Sequence, residues 1–439
     1  MDRPELSVVI PVWRGVESLR KLLPHLKPTL QSLVPEHEII VSLGPGYSLP
    51  SELADAQARF VQAAKHGYGD ILREGLEHAT GRYVLTMDAD FSHRPGYANS
   101  MWAHRDQGDI LIGSRYVPGS FAEMHLLRRA GSRLLNFFYR KTLALPCKDV
   151  SSGFRLYRRD VLEEIGPPEG HGLDSLLEMI VKATCQGSRI VEVPFWYKGA
   201  SSWTRTRMLR LSLDFLATFG KLLALRNSVK AADYDSRAFD SWIPLQRYWQ
   251  RRRFHIIQTF APEAGRILDI GCGSSRIIQM LPDVVGMDIA MRKLRWLRAP
   301  GRRLVCGSLT GIPFRDHAFD AAVCSEVIEH LPRQDVDLRQ VARKIRPGGI
   351  LILSTPDYDR RIWRLLEWAY GKVFPGGYVH EHINRYTHKG LRRELEGLGL
   401  DVLDCQYVGG SEMIFKARVP EQVAVIDLRE DAVKVASSS

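Results

Sequence analysis

The sequence predicts an α/β architecture in two successive units, on the strength of three features. Apolar, β-branched runs alternate with helical stretches twice over, the signature of βαβ units and mainly parallel sheets. The 439 residues suffice for two or three domains. Two units of about 200 residues each bury full-sized cores without disulfides or metals. A polar stretch at 227–240 separates the two runs of alternation and marks the seam. Hydrophobic residues at 45% and charged residues at 25% are the proportions of a soluble globular protein.

Residues 6–12 are apolar and β-branched and read as the first strand, with a second at 38–42. A helix over 69–78 leads into a strand at 83–87. The second half opens with an aromatic, basic helix over 245–260. The run 266–270, then Gly271-Cys272-Gly273, then 275–281 reads as strand, turn and helix. Further strands are expected at 283–287, 321–324 and 350–354. There is no repeat or low-complexity tract, and the tail from about residue 421 is expected to fray.

The net charge of +11 and a pI near 9.4 favour anionic partners, either phosphate-bearing substrates or an acidic membrane surface. No recognised nucleic-acid motif accompanies the charge, so nucleic acid is not an expected partner. Six scattered cysteines without close spacing point to a reduced chain, and Met1-Asp2-Arg3-Pro4 leads into a strand without the apolar core of a signal peptide. A cytoplasmic location, peripheral at the inner membrane face, is expected. No stretch of about 18 uncharged apolar residues could span a bilayer. The stretch 209–225, preceded by Arg205, Arg207 and Arg210, suits either an interfacial helix or a packed amphipathic one.

The strand at 83–87 runs into Asp88-Ala89-Asp90. Two acids at i and i+2 can face one divalent cation where the chain turns, and that ion would neutralise the diphosphate of a nucleotide sugar. A lone Asp-x-Asp is most often a surface loop, but this one has company. Glu77-His78-Ala79-Thr80-Gly81-Arg82-Tyr83 precedes it, and the motif itself reads Met87-Asp88-Ala89-Asp90-Phe91-Ser92-His93. Downstream come Gly113-Ser114-Arg115-Tyr116, Ser152-Gly153-Phe154-Arg155-Leu156-Tyr157-Arg158 and Val191-Glu192-Val193-Pro194. In this order and spacing the segment 6–225 resembles the dolichyl-phosphate mannosyltransferases and their bacterial relatives in glycosyltransferase family 2.

The resemblance implies a GT-A nucleotide-diphospho-sugar transferase fold and inverting sugar transfer. It assigns Asp88, Asp90 and Ser92 to the metal and Arg115 and Arg128 to a phosphate clamp, with Ser132 one helical turn beyond Arg128. Arginine suits a clamp because its planar fork bonds phosphate oxygens bidentately. Pro11, Trp13 and Ala89 join the donor-binding candidates. A polyprenyl phosphate acceptor brings an oxygen that is already nucleophilic and needs only positioning and screening. A hydroxyl acceptor would need a base, for which Glu178 or Asp174 is the candidate. Three segments depart from the family, one being Gly199-Ala200-Ser201-Ser202-Trp203 in place of Gly-x-Ser-Lys in the acceptor loop. Pro11-Val12-Trp13-Arg14-Gly15 stands for Pro-x-Tyr-Asn-Glu, and Ser42-Leu43-Gly44 lacks the acids that normally recognise the donor base.

In the second half, Asp269-Ile270-Gly271-Cys272-Gly273 ends a strand and opens a helix, and two glycines there let backbone approach a ligand. Asp288 ends the next strand, where a carboxylate can grip both ribose hydroxyls. Together with Gly307-Ser308-Leu309, Glu326-Val327-Ile328-Glu329-His330 and Arg346-Pro347-Gly348-Gly349, this pattern resembles class I S-adenosylmethionine-dependent methyltransferases over 234–418. The resemblance implies a Rossmann-like, seven-stranded sheet with helices on both faces. It assigns Asp269, Gly271, Gly273, Asp288, Ser308 and Leu309 to S-adenosylmethionine. Methyl transfer is an in-line displacement that rests on alignment and desolvation. For a hydroxyl acceptor the candidate bases are Glu326, His330, Glu329, His380 and His382. His380-Glu381-His382 is more often not a metal site.

The expected domains are 1–227, 228–420 and a tail at 421–439. The expected function is sugar transfer to a polyprenyl phosphate or related acceptor coupled to methyl transfer. The alternative is an active methyltransferase carrying a glycosyltransferase-like docking domain.

Overall fold

A computed structural model describes residues 3–13, 16–47, 53, 57–198, 216, 218–365 and 382–421. The chain divides into two units, Met1–Ala231 and Ala232–Ser439. Arg14, 199–215, His380 and Glu381 lie outside the described residues, so the expectations that fall on them find no structural counterpart here.

The first unit is built on a seven-stranded sheet. Its strands are β1 (Leu6–Val12), β2 (His37–Leu43), β3 (Arg59–Gln62), β4 (Tyr83–Thr86), β5 (Ile110–Ser114), β7 (Arg155–Arg158) and β8 (Ile190–Pro194). Their order is β3-β2-β1-β4-β7-β5-β8. A short parallel pair, β6 (Phe121–Glu123) and β9 (Trp196–Lys198), stands apart. β1 is buried along its whole length between β2 and β4, which is why its sequence is a continuous apolar run rather than an alternating one. β7 runs antiparallel to β4 and to β5, while the other pairs in the sheet are parallel.

Helices α1 (Leu19–Leu33), α2 (Tyr68–His78), α3 (Tyr97–Ala103), α4 (Leu126–Thr142), α5 (Arg159–Ile165), α6 (Asp174–Cys185) and α7 (218–227) complete the unit. Leu19, Leu22, Leu23, Leu26 and Leu30 recur at helical spacing on α1. They pack against alternate residues of two strands, Val8, Ile10 and Val12 of β1 and Ile39, Val41 and Leu43 of β2. Fully buried Arg155 ties the middle together. Its guanidinium donates to the carbonyls of Ser152 (2.7 Å), Leu176 (2.8 Å) and Val150 (2.9 Å).

The second unit also carries seven strands: β10 (Ile267–Ile270), β11 (Val284–Asp288), β12 (Arg303–Cys306), β13 (Phe319–Ser325), β14 (Ile345–Pro356), β15 (Asp401–Val408) and β16 (Glu412–Arg418). The order is β12-β11-β10-β13-β14-β16-β15, with β16 antiparallel to both neighbours. Its helices are α8 (Tyr234–Phe239), α9 (Pro244–Phe260), α10 (Ile277–Met280), α11 (Met291–Leu297), α12 (Leu338–Lys344), α13 (361–365) and α14 (His388–Gly397). Leu268 and Ile270 face α12 and α14, while Ile267 faces α9 and α11, so both faces of the sheet are covered as expected.

The helix expected over 275–281 is shorter than the sequence suggests. Ser274 is held by Asp235, which accepts its N–H at 3.0 Å and its hydroxyl at 3.1 Å, so the helix begins only at Ile277. Among the described residues no helix is long and apolar enough to cross a membrane. Cys147, Cys272, Cys306, Cys324 and Cys405 carry free thiols.

Candidate active sites

In each unit the strand order reverses beside the first strand, which opens a crevice at the carboxyl ends of the strands. In the first unit this crevice is a cavity of about 690 Å³. Pro11 and Trp13 line it from the end of β1, and Asp88, Ala89 and Asp90 from the end of β4. Arg115, Arg128 and Ser132 reach the same wall, so the structure brings every first-unit candidate for the donor, metal and phosphate to one place except Ser92.

The two acids are held from behind. Asp88 accepts from the Tyr68 hydroxyl at 3.4 Å, and its backbone N–H donates to Nδ1 of His93 at 3.1 Å. His93 is buried and stacks on Phe154 with ring centroids 5.0 Å apart. Burial pulls its pKa down to about 4 against the opposing charge of Asp90, and only the neutral ring can accept the Asp88 N–H. The Ser92 N–H donates to Asp90 Oδ1 at 3.0 Å, while Phe91, at φ 59°, makes the turn between them. Burial, then the charge of Asp88, holds the Tyr68 hydroxyl well above its ordinary pKa, so it remains a donor.

Three expectations are corrected here. Ser92 does not line the cavity: its side chain is buried behind the wall and its hydroxyl meets no hydrogen-bond partner. Arg115 does not present an open fork. Asp149 takes it bidentately, Nε at 2.7 Å and Nη2 at 2.6 Å, and also accepts the Arg115 backbone N–H. That buried pair is net neutral. Asp149 resists burial because the Arg115 guanidinium holds its pKa below the ordinary value. Arg128 also reaches this wall. Its Nη2 donates to the Tyr197 hydroxyl at 3.0 Å.

Glu178 and Asp174, the candidate bases, also lie off the cavity wall. Glu178 accepts the N–H groups of Glu169 (2.9 Å) and Gly170 (2.8 Å) and pairs with Lys182 at 2.7 Å. Asp174 accepts from the Gly172 N–H and the Thr218 hydroxyl. Both hold local structure. The Ser132 hydroxyl does line the cavity and accepts from Tyr116 at 2.7 Å. Helix α4 supplies an apolar part of the wall through Leu134, Leu135 and Phe138.

In the second unit the turn after β10 needs both glycines. Gly271 has φ 65° and Gly273 φ 53°. A Cβ at Gly271 would stand 2.4 Å from Val327 Cγ2, and one at Gly273 would stand 2.5 Å from Asp235 Oδ2. Asp288 accepts the Gly273 N–H and the Ala290 N–H, each at 2.7 Å. Asp269 is buried with Oδ2 unpartnered, and burial, reinforced by Asp288, raises its pKa to about 8. Ser308 spends its hydroxyl on Thr310 at 2.9 Å. The Leu309 side chain is in the core, so only its backbone is available to a ligand.

Glu326, Glu329, His330 and His382 are brought to the carboxyl end of β13. Glu326, in a left-handed conformation at φ 57°, pairs with Arg253 at 3.2 Å. The same arginine grips buried Glu412 at 2.5 and 2.8 Å. Burial, then the charge of Glu412, pushes the Glu326 carboxyl well above its ordinary pKa. Asp235, Tyr68, His93, Asp149 and Tyr197 were not singled out from the sequence. His93 could have been, because it closes the Asp-x-Asp motif. The others act across long sequence separations.

A model of glycosyl transferase family 2 matches residues 7–166, and a model of a methyltransferase domain matches residues 245–404. Polyprenol monophosphomannose synthase of Mycolicibacterium smegmatis is 30% identical over 204 residues, covering 43% of this chain and 76% of the relative. Undecaprenyl-phosphate 4-deoxy-4-formamido-L-arabinose transferase of Klebsiella pneumoniae is 23% identical, covering 50% of this chain and 72% of the relative. Among solved structures, a SAM-dependent methyltransferase of Thermotoga maritima is similar at 18% identity and a TM-score of 0.34, covering 42% of this chain and 94% of that one. With a GT-A sheet leading into a Rossmann-like methyltransferase sheet, this chain belongs to glycosyl transferase family 2 and carries a methyltransferase domain behind it.

Proposed function

We propose that the protein is a bifunctional transferase. The first unit moves a sugar from a nucleotide-sugar donor to a polyprenyl phosphate or related lipid-linked acceptor. The second moves a methyl group from S-adenosylmethionine to an intermediate of the same pathway. The observation that carries the first half is the convergence of Asp88, Asp90, Arg128 and Ser132 on one cavity that also has an apolar wall.

Asp88 and Asp90 are hard oxygen donors and fit magnesium or manganese, with donor oxygens rather than Ser92 completing the shell. Bound there, the cation would supply positive charge to the departing diphosphate. Arg128 adds charge, and Tyr197 orients its fork. Tyr68, His93 and the Ser92 N–H fix the two acids before any ligand arrives, so little reorganisation is needed. A phosphate acceptor needs no general base, which agrees with Glu178 and Asp174 lying elsewhere. Leu134, Leu135 and Phe138 suit the acceptor's lipid chain.

S-adenosylmethionine also fits the residues present. The Gly271–Gly273 turn is a cradle that a Cβ would fill, and Asp269 Oδ2 is a buried acceptor in want of a donor. Asp288 would hold the ribose. Desolvation of the methyl donor against the acceptor would do most of the catalytic work.

A second reading makes the first unit a docking module, and the acid-free end of β2 at Ser42-Leu43-Gly44 favours it. The two readings separate in one assay: nucleotide-diphosphate release from a panel of nucleotide sugars, with polyprenyl phosphate and manganese or magnesium. Turnover by the native protein and none by Asp90→Ala supports the transferase. Binding of several nucleotides without turnover of any would establish the docking module instead.

A further inference from the structure

We propose that Glu329, His330 and His382 form a divalent-metal site in the second unit, separate from the Asp88–Asp90 acids. One ligand atom from each residue lies within 4.8 Å of the others, and among the described residues this is the one cluster of three such groups. A carboxylate and two imidazoles are an oxygen–nitrogen donor set suited to zinc, iron(II), cobalt(II) or nickel rather than magnesium.

Glu329 supplies an independent observation. It is fully buried, and its Oε1 meets no hydrogen-bond donor, whereas Oε2 accepts from the Thr355 hydroxyl at 3.2 Å. A buried carboxylate oxygen with no donor is costly unless a cation fills the gap. Glu326, one turn earlier, likewise has an Oε1 without a donor and faces Glu329, so the two carboxyls can share a proton until a cation takes its place.

The surroundings hold the three ligands in register. The Glu329 carbonyl accepts the N–H groups of Ile383 (2.8 Å) and Asn384 (3.0 Å), which fastens the residue after His382 to the turn that carries Glu329 and His330. The Asn384 side chain adds a bond to the Leu331 carbonyl at 2.6 Å. Tyr358 lies 2.8 Å from His382 Nδ1, and Trp363 stacks on the same ring at 5.9 Å. With Nδ1–H donating to the Tyr358 oxygen, Nε2 carries the lone pair that a metal requires, the usual way an outer partner sets a ligand's tautomer. This assignment removes Glu329, His330 and His382 from the set of general bases. The position, at the carboxyl end of β13 beside Val327 and the Gly271 turn, is where a methyl acceptor would be presented. An open coordination position would take an oxygen or nitrogen of that acceptor.

The test uses the full chain as Asp88→Asn/Asp90→Asn, stripped of metal and titrated with cobalt(II) chloride without nucleotide or S-adenosylmethionine. One cobalt per chain, with a visible absorption band from imidazole ligation, is the expected result. His382→Asn should abolish the band. Tyr358→Phe, which keeps the ring packing, should weaken cobalt binding by roughly 10–100-fold. Thermal melting of each variant confirms that it is folded. No cobalt uptake by the acid-free protein, or an unchanged band and affinity in folded His382→Asn, overturns the site. Because the probe is the metal alone, either failure leaves the reading of both transferases standing.

Discussion

Each oxygen of Asp288 already accepts one backbone N–H and keeps a lone pair outward. Those lone pairs are what two ribose hydroxyls would use. Asp288→Ala should therefore weaken S-adenosylmethionine binding by roughly 1.5–3 kcal/mol, read by titration calorimetry. Equal binding by the native and variant proteins would remove the ribose assignment. Asp269 has the opposite problem, an oxygen with nothing to accept. Its pKa, ordinarily 3.8, is raised to about 8 by burial. Between those values the folded chain holds a proton that the unfolded chain has released, so stability falls as pH rises through this window and levels off above about 8. The melting temperature of the ligand-free protein should decline from pH 5 to 8, and less so in Asp269→Asn. Glu329 is raised to about 8 in the same direction, so the difference between the two proteins is the quantity to read. The residues of these sites were legible in the sequence, but their commitments were not. Nothing in Gly113-Ser114-Arg115 reveals that Asp149, far along the chain, occupies the arginine fork.

At the scale of elements, the buried central strands β1, β4, β10 and β13 were the easy ones to place because they are mostly apolar, whereas β3, β5, β7, β12 and β15 were not placed. Helix starts were harder. The four-residue α10 is shortened by Asp235, a side chain in a different helix that the local sequence cannot announce. Arg155 shows the same limit. It stood in view within Ser152-Gly153-Phe154-Arg155, yet its partners are main-chain carbonyls, which carry no sequence signature. It joins β7 to the loop before it and to α6. Arg155→Met would keep much of the volume and take the guanidinium donors away from three carbonyls. The expected loss is about 3–5 kcal/mol of stability in the first unit, measured by urea unfolding. A loss below about 1 kcal/mol would mean that water replaces the guanidinium.

On the scale of the whole molecule, the net charge of +11 acquires a place to act. Leu134 (70% exposed) and Phe137 (57%) on α4 are set among Arg129, Arg133, Arg140 and Lys141. An apolar stripe among cations suits a surface of acidic lipid. Flotation with acidic vesicles should retain the protein at low salt and release it at high salt. Leu134→Glu/Phe137→Glu should reduce retention, and equal retention on neutral vesicles would refute the electrostatic part. Order of synthesis gives the sheets one more consequence. β1 leaves the ribosome before β2 and β4 yet belongs between them, with Leu6 paired to His37 on one side and Tyr83 on the other. At roughly 5–20 residues per second, several seconds pass before β4 arrives to cover that edge. Until then Leu6–Val12 is an apolar strand with one edge unpaired, so the nascent chain should be a client of the chaperones that wait at the tunnel exit.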